Sequence, residues 1–211
     1  MTDALDERLL EQAVQILAAR DRHLAEIVSR VGPPPLWQRQ PGFATLIHII
    51  LEQQVSLASA RAAYDKLLKK TQVLTPARFL ELGDAELKAA GFSRQKTAYG
   101  RSLSAALLEG SLDLAAVAEL DDDRAREQLM AVKGIGRWTA DIYLLMALGR
   151  PDVWPGGDLA LAVAVQRVKG LPTRPSPVEL DEASVGWRPW RAVAARILWH
   201  YYLSSVVRTR P

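Results

Sequence analysis

Apolar residues recur along nearly the whole chain at the three- and four-residue spacing of an α-helix, and no convincing alternating run reads as strand. Leu9, Leu10, Ala13, Val14 and Leu17 form the first such stripe. Gly32-Pro33-Pro34-Pro35 closes this opening helical region, because three prolines cannot continue a helix. Phe43 to Gln53 is apolar on almost every side and predicts a buried helix. Ser56 reads as the N-cap of a helix from Leu57 to Lys69, and Thr75-Pro76 as N-cap and first residue of a short one. Gly83-Asp84 opens another helix, which Gly91 closes. Helices over Ser93 to Leu108 and Asp113 to Leu120 follow. Asp121, Asp122 and Asp123 favour the start of one reaching Ala131. Arg137 to Leu148 ends at Gly149 and Pro151; Leu159 to Lys169 and Arg188 to Val206 complete the set. The pattern predicts an all-α bundle of about ten to twelve short helices without internal repeats.

At 211 residues and 49% hydrophobic content, the chain suffices for one domain, or one two-lobed unit, with a sizeable core. No apolar run reaches the ~18 residues of a membrane span, and the acidic N-terminal residues Asp3, Asp6, Glu7 and Glu11 do not read as a signal peptide. A cytoplasmic location is the expectation. The absence of cysteine excludes disulfides, thiol catalysis and cysteine-ligated iron–sulfur clusters together. His23, His48 and His200 lack metal-ligand spacing, and His48, inside the apolar Leu46–Leu51 run, reads as a buried, hydrogen-bonded histidine. There is no Walker A motif, zinc motif or Ser–His–Asp signature. Net charge is only +3 but uneven. Residues 1–30 hold six acids against four Lys and Arg. No acid follows Glu182, while Arg188, Arg191, Arg196, Arg208 and Arg210 do. Gly91 to Leu108 adds Arg94, Lys96 and Arg101 without an acid. Charge alone is read most simply as an ordinary solvated surface; the alternative is a basic face that follows a phosphate backbone.

The most informative segment is Val132-Lys133-Gly134-Ile135-Gly136-Arg137-Trp138-Thr139-Ala140-Asp141, followed by Pro155-Gly156-Gly157-Asp158. The first part reads as a tight turn opening a helix, with backbone N–H groups presented at the helix start, an arrangement that holds a phosphate without reading sequence. The second places a carboxylate in a Gly-rich loop, 22 residues after Gly136. Alone, an Asp before Leu159-Ala160-Leu161-Ala162-Val163 is most simply an N-cap. A phosphate anchor upstream adds a second reading, chemistry at a sugar–base bond, and the two roles are compatible because a helix N-terminus favours an anion.

These blocks resemble the helix-hairpin-helix (HhH-GPD) DNA glycosylases, specifically the alkylbase (3-methyladenine DNA glycosylase II) branch. Its hairpin and Gly-rich loop ending in an essential Asp match Gly134, Ile135, Gly136, Trp138, Thr139, Ala140 and Asp158. The resemblance extends to Leu51-Glu52-Gln53-Gln54-Val55-Ser56, Gly91-Phe92-Ser93-Arg94-Gln95-Lys96 and Trp187-Arg188-Pro189-Trp190-Arg191, roughly residues 40–205. It implies a single glycosylase unit over 1–211, with one lobe at about 41–150, a second from 1–40 plus 151–211, and an interlobe cleft holding Asp158. Some relatives carry an N-terminal β domain; this chain begins directly in helix.

What the resemblance implies for chemistry follows residue by residue. Asp158 stabilises positive charge developing on the deoxyribose as the base departs, and orients water. Gly156 and Gly157 let the backbone approach DNA closely. Trp138 stands where the lyase branch carries a nucleophilic lysine, and Lys133 is not at that position, so a monofunctional hydrolase is implied. Trp138, Trp187 and Trp190 fall where the branch lines its base pocket, and indole faces attract cationic N-alkylated purines. The branch's further pocket tyrosine falls at Ile142, with Tyr143 adjacent. Lys133, Gly134, Ile135, Gly136, Arg137 and Thr139 form the DNA-binding hairpin, with Arg94 and Lys96 alongside. The turn Gln53-Gln54-Val55-Ser56 supplies the wedge that fills the gap left by a flipped base. Gln54 leads, Gln53 and Ser56 are alternatives, and an ordinary polar connection is the plain reading. Main-chain carbonyls of Met130, Val132 and Ile135 would hold a monovalent Na or K ion; no cofactor is required. The implied partner is double-stranded DNA containing damaged bases, bound by a monomer and away from membranes. The implied function is excision of alkylated purines (3-methyladenine, 7-methylguanine) in base-excision repair. The alternatives are a glycosylase for a neutral lesion such as uracil, hypoxanthine or 8-oxoguanine, and a non-catalytic hairpin module that binds DNA.

Overall fold

A computed structural model describes residues 4–208, with side chains to residue 205. Asp3, Arg210 and the side chain of Arg208 therefore lie outside the described residues. In chain order the helices are α1 (Glu7–Arg20), α2 (Arg22–Val31), α3 (Phe43–Glu52), α4 (Leu57–Thr71), α5 (Pro76–Glu81), α6 (Asp84–Ala90), α7 (Arg94–Leu108), α8 (Leu114–Glu119), α9 (Asp122–Met130), α10 (Arg137–Met146), α11 (Leu159–Lys169), α12 (Pro177–Ser184) and α13 (Arg191–Arg208). A 3-10 turn at Val185–Trp187 precedes the last. There is no strand among the described residues, and no described helix is long and apolar enough to cross a membrane.

Capping residues set most boundaries. Ser56, Thr75, Ser93, Asp113 and Asp121 each accept a backbone N–H from the first turn of the helix they precede. Three boundaries depart from the sequence pattern. The opening region divides at Asp21, whose side chain accepts the amides of His23 and Leu24 and starts α2 anew. A helix at Pro177–Ser184 was not expected; Ser176 and Glu179 form its capping box and Pro177 its first residue. The last helix starts at Arg191 rather than Arg188. A residue before proline avoids the helical region, so Arg188 is not itself helical, and Trp190 donates its amide back to Trp187 O at 2.8 Å before the helix begins.

The chain forms two compact units, residues 39–148 and residues 1–38 with 149–211. The first is built on α3, which packs against α4, α7 and α10. Its N-cap, Gly42, contributes no side-chain bond, a deficit of roughly a few tenths of a kcal/mol against a capping side chain. Leu46, Ile47, Ile49, Ile50 and Leu51 are all 0–1% exposed. At roughly 1.5–3 kcal/mol per buried aliphatic side chain, burial decides this helix.

The second unit is built on α13, which packs against α1, α2 and α11. Ala192, Ala194 and Ala195 are fully buried and let neighbours approach closely. Among them lies Arg196, 0% exposed. Its Nε donates to Leu36 O at 2.8 Å and its Nη1 to Ala192 O at 3.1 Å. Burial pushes its pKa down to about 10. Arg196 thus ties the segment after the prolines to α13 and is no part of a basic surface. Arg191 is also committed, bridging both oxygens of Asp152 at 3.0 Å. Of the described C-terminal arginine side chains, Arg188 is the exposed one.

Asp21 also accepts Trp187 Nε1 at 2.8 Å. Burial opposes its charge, but the Trp187 indole, the His23 and Leu24 amides and Lys169 outweigh it, and its pKa is lowered. Asp21→Ala should lose a cap and orphan a buried indole N–H, together about 2–4 kcal/mol, read as a lower Tm. Because the folded pKa is depressed, this contribution is present above the ordinary aspartate value of 3.8 and is lost as pH falls through the folded value. The Tm difference between wild type and variant should therefore narrow in acid.

Candidate active site and nucleic-acid interface

Within unit 39–148 the hairpin is the short reversal between α9 and α10. Val132 N bonds Leu129 O at 3.2 Å, Ile135 N bonds Val132 O at 3.1 Å, and Ala140 N bonds Gly136 O at 3.0 Å. Val132 and Ile135 are 7% and 3% exposed and root the turn in the core, while Lys133, Gly136 and Arg137 face outward. Gly136 is the N-cap of α10 and brings no side-chain cap. That leaves the cap position of the helix, at its positive dipole end, without an anionic or hydroxyl side chain.

Gln53 is drawn into this hairpin rather than presented outward. Its Nε2 donates to Gly134 O at 3.0 Å and to Thr139 Oγ1 at 2.9 Å, and Thr139 is 2% exposed. Gln54, by contrast, is exposed and holds φ 57° at the apex of the α3–α4 turn. Val55 and Leu57 beside it are 46% and 57% exposed, apolar surface at this turn that the sequence reading did not single out. Ser56 is engaged as the cap of α4, accepting Ser59 N at 3.2 Å. Arg94 is exposed. Lys96 donates its Nζ to Leu51 O at 2.6 Å, clasping the end of α3, and burial lowers its pKa.

Deeper in this unit, Asp141 is fully buried and accepts Arg126 Nε at 2.6 Å, with Arg137 Nε 3.6 Å from its other oxygen. His48 is half-buried rather than fully buried, stacked on Tyr64 with ring centroids 4.3 Å apart, and its Nε2 lies 3.7 Å from Glu52, an ion-pair distance rather than the expected hydrogen bond. Tyr143 does not face outward as a pocket residue would. It is 0% exposed, and its hydroxyl accepts the Gly42 amide at 3.0 Å, holding the residue that begins α3. The sequence could not separate Ile142 from Tyr143 because a one-residue step turns a side chain by about 100° on a helix. Trp138 is half-buried.

Within the other unit, the loop 151–158 is fixed at both ends. Ala192 N bonds Pro151 O at 3.0 Å, and the Asp152–Arg191 pair holds the same end to the start of α13. Gly157 takes φ 77°, a conformation natural to glycine, and turns the chain into α11. Asp158, 9% exposed, is the N-cap: its Oδ1 accepts Leu161 N at 2.9 Å and Trp199 Nε1 at 3.2 Å. Trp199, 41 residues away, is a partner that no local pattern signalled. Trp187, 3% exposed, packs on Trp154 with centroids 5.4 Å apart and gives its N–H to Asp21, so it supports the site from the core. Trp190 is half-buried.

The described residues hold no cluster of three or more His, Cys, Asp or Glu placed for a metal. An ion at Met130, Val132 and Ile135 would be held by backbone oxygens alone, a donor set suited to a hard, weakly charged cation. Val132 O already accepts one amide and retains a second lone pair.

Comparison with known proteins identifies the family and the fold. Residues 47–189 match the HhH-GPD superfamily of base excision DNA repair proteins. DNA-3-methyladenine glycosylase 1 of Schizosaccharomyces pombe is 28% identical over 182 residues, covering 84% of this chain and 80% of that protein. The alkylbase DNA glycosidase-like protein mag2 of the same organism is 25% identical, covering 90% and 92%. The solved structure of the S. pombe 3-methyladenine DNA glycosylase Mag1 in complex with abasic DNA superposes with a TM-score of 0.82 at 25% identity, covering 92% of this chain and 97% of that one.

The two hairpin glycines should respond differently to substitution. Gly134 has φ 98°, and a Cβ there would lie 2.2 Å from Tyr99 Cγ; Gly136 has nothing within 4 Å of such an atom. Gly134→Ala should cost roughly 2–4 kcal/mol through backbone strain and overpacking. Gly136→Ala meets no strain or clash and should cost no more than about 1 kcal/mol, the exchange of a favoured N-cap residue for a poor one. Chemical denaturation of the two variants checks this.

Proposed function

The chain belongs to the HhH-GPD superfamily of base excision DNA repair proteins, and from that membership we propose that it is a monofunctional DNA glycosylase. It hydrolyses the N-glycosidic bond of alkylated purines of the 3-methyladenine and 7-methylguanine type in duplex DNA, acting as a monomer and leaving an abasic site. The observation that carries the reading is Asp158, a largely buried carboxylate held by a helix amide and an indole N–H in a Gly-rich loop.

The cationic base departs with the electron pair of the glycosidic bond and becomes neutral. Positive charge develops on the sugar, and the Asp158 carboxylate stabilises it electrostatically. Water adds at the anomeric carbon, and its proton passes to solvent. The leaving base is already activated by its charge, so no general acid is needed. Trp138 and Trp190 are each half-buried, and a partly exposed indole face attracts such a charge. Neither indole is a nucleophile, so no Schiff base forms. The Gly134–Thr139 hairpin holds a backbone phosphate through its amides, and Gln54 fills the stack behind the flipped base. A sodium or potassium ion on the Met130, Val132 and Ile135 carbonyls would add positive charge near that phosphate.

Asp158→Asn keeps a side-chain acceptor for the cap, so fold and duplex affinity should persist while base release from alkylated duplex falls about 100-fold or more. Release at the wild-type rate would remove Asp158 from the chemistry. Borohydride should trap no covalent protein–DNA adduct, since trapping requires an amine nucleophile.

Gly136→Asp tests the hairpin separately. An aspartate is a good N-cap, so Tm should hold or rise. Its negative charge faces the phosphate, so affinity for damaged and undamaged duplex should fall together, because phosphate contacts carry no sequence information. Unchanged affinity would take the hairpin out of the DNA interface.

A further inference from the structure

Tyr99 takes no part in the chemistry described, yet it bears directly on the hairpin. It stands on α7, half-buried, and its side chain lies against the backbone of Gly134 so closely that a Cβ at that position would fall 2.2–2.5 Å from Tyr99 Cγ, Cβ and Cδ1. Its hydroxyl accepts Gln95 Nε2 at 2.6 Å, one helical turn earlier, at the exposed end of the ring. Gln53 holds the same residue by its carbonyl, with Gly134 O at 3.0 Å. Tyr99, Gln53, Lys133 and Gly136 share the rim of one open depression of about 480 Å³.

We propose that Tyr99 is a positioning residue for DNA binding: its ring is the surface on which Gly134 rests, and with the Gln53 amide it sets the hairpin amides in place before DNA arrives. The inference rests on the reading of the hairpin as a phosphate contact. Gly134 takes φ 98°, and glycine is the residue with the most backbone freedom to lose. A hairpin that samples other conformations binds more weakly in proportion to the time spent in the competent one. Ordering it in advance lowers the entropic cost of binding. The glycine and the tyrosine are therefore complementary: a side chain at residue 134 would exclude the ring, and loss of the ring leaves the apex without support.

The test compares wild type, Tyr99→Ala, Tyr99→Leu and Tyr99→Phe by hydrogen exchange at the amides of residues 134–138, duplex affinity, and KM against kcat on a 7-methylguanine duplex. Tyr99→Ala should speed exchange at these amides and raise Kd and KM by about 10-fold, with kcat within about 2-fold, the pattern of lost uniform binding. Tyr99→Leu, which retains apolar bulk if the alanine variant does not fold, should show the same pattern at smaller amplitude. Tyr99→Phe keeps the ring and should restore all three readouts. Wild-type exchange and affinity in a folded Tyr99→Ala or Tyr99→Leu overturns the proposal, as does a Tyr99→Phe variant as impaired as Tyr99→Ala. Should the wild-type protein neither bind duplex nor release base, the functional reading fails on its own, and the exchange measurement still decides whether Tyr99 orders the hairpin.

Discussion

On the proposed reading, a protein of net charge +3 adds to its lysines and arginines a second way of gripping a polyanion, backbone N–H groups aimed at a phosphate. That demands a helix start left open by its own side chains, and α10 supplies one because its N-cap is Gly136. The arrangement costs the helix only roughly the few tenths of a kcal/mol by which an Asp or Ser cap exceeds glycine. Compensation comes from below: Val132 and Ile135 root the turn, and Gln53 ties it to the end of α3. The electrostatics follow the same division. Arg196 and Arg191 are spent on internal contacts, and Lys96 clasps a helix end, so side-chain cations contribute less to the interface than their number in the sequence implies.

The carboxylate is arranged on the opposite principle. Asp158 is placed by a local bond, the cap to Leu161 N, and oriented by a distant one, from Trp199. The local bond alone would place any N-cap aspartate. The indole, delivered by α13, is what turns a capping residue into a side chain with one fixed direction, and a fixed dipole or charge at the reacting centre is worth most when it does not reorganise during the reaction. The fold serves this by tying the loop before Asp158 to the start of the same helix through Asp152 and Arg191.

What the sequence discloses follows the range of the interaction. Caps at Ser56 and Thr75 were legible because donor and acceptor lie within three residues, while Ser93 and Asp113, read as first helical residues, prove to be caps one position outside. The helix at Pro177–Ser184 carried the same signal, Ser176-Pro177 with Glu179, but its apolar stripe is short. The break at Asp21 was hidden by apolar periodicity continuing on both sides. The hairpin and Asp158 stood out by motif, whereas their supports did not. Gln53 reads as a turn residue until Gly134 and Thr139, more than 80 residues on, are seen to be its partners. Tyr99, Trp199 and the Asp21–Trp187 bond are non-local in the same way. Tyr143 shows the converse: residue type and neighbourhood suggested a pocket, and packing assigned it to the core.

The central claim is that a pinned carboxylate with indole faces removes bases that already carry positive charge. It is tested most directly by incubating the purified protein with matched duplexes that each contain one 3-methyladenine, 7-methylguanine, uracil, hypoxanthine or 8-oxoguanine, and measuring free base and strand integrity together. The account predicts release of the two methylated purines ahead of the neutral bases, with strands that break only after alkali. Preferential release of uracil or 8-oxoguanine, or strand scission without alkali, would contradict it.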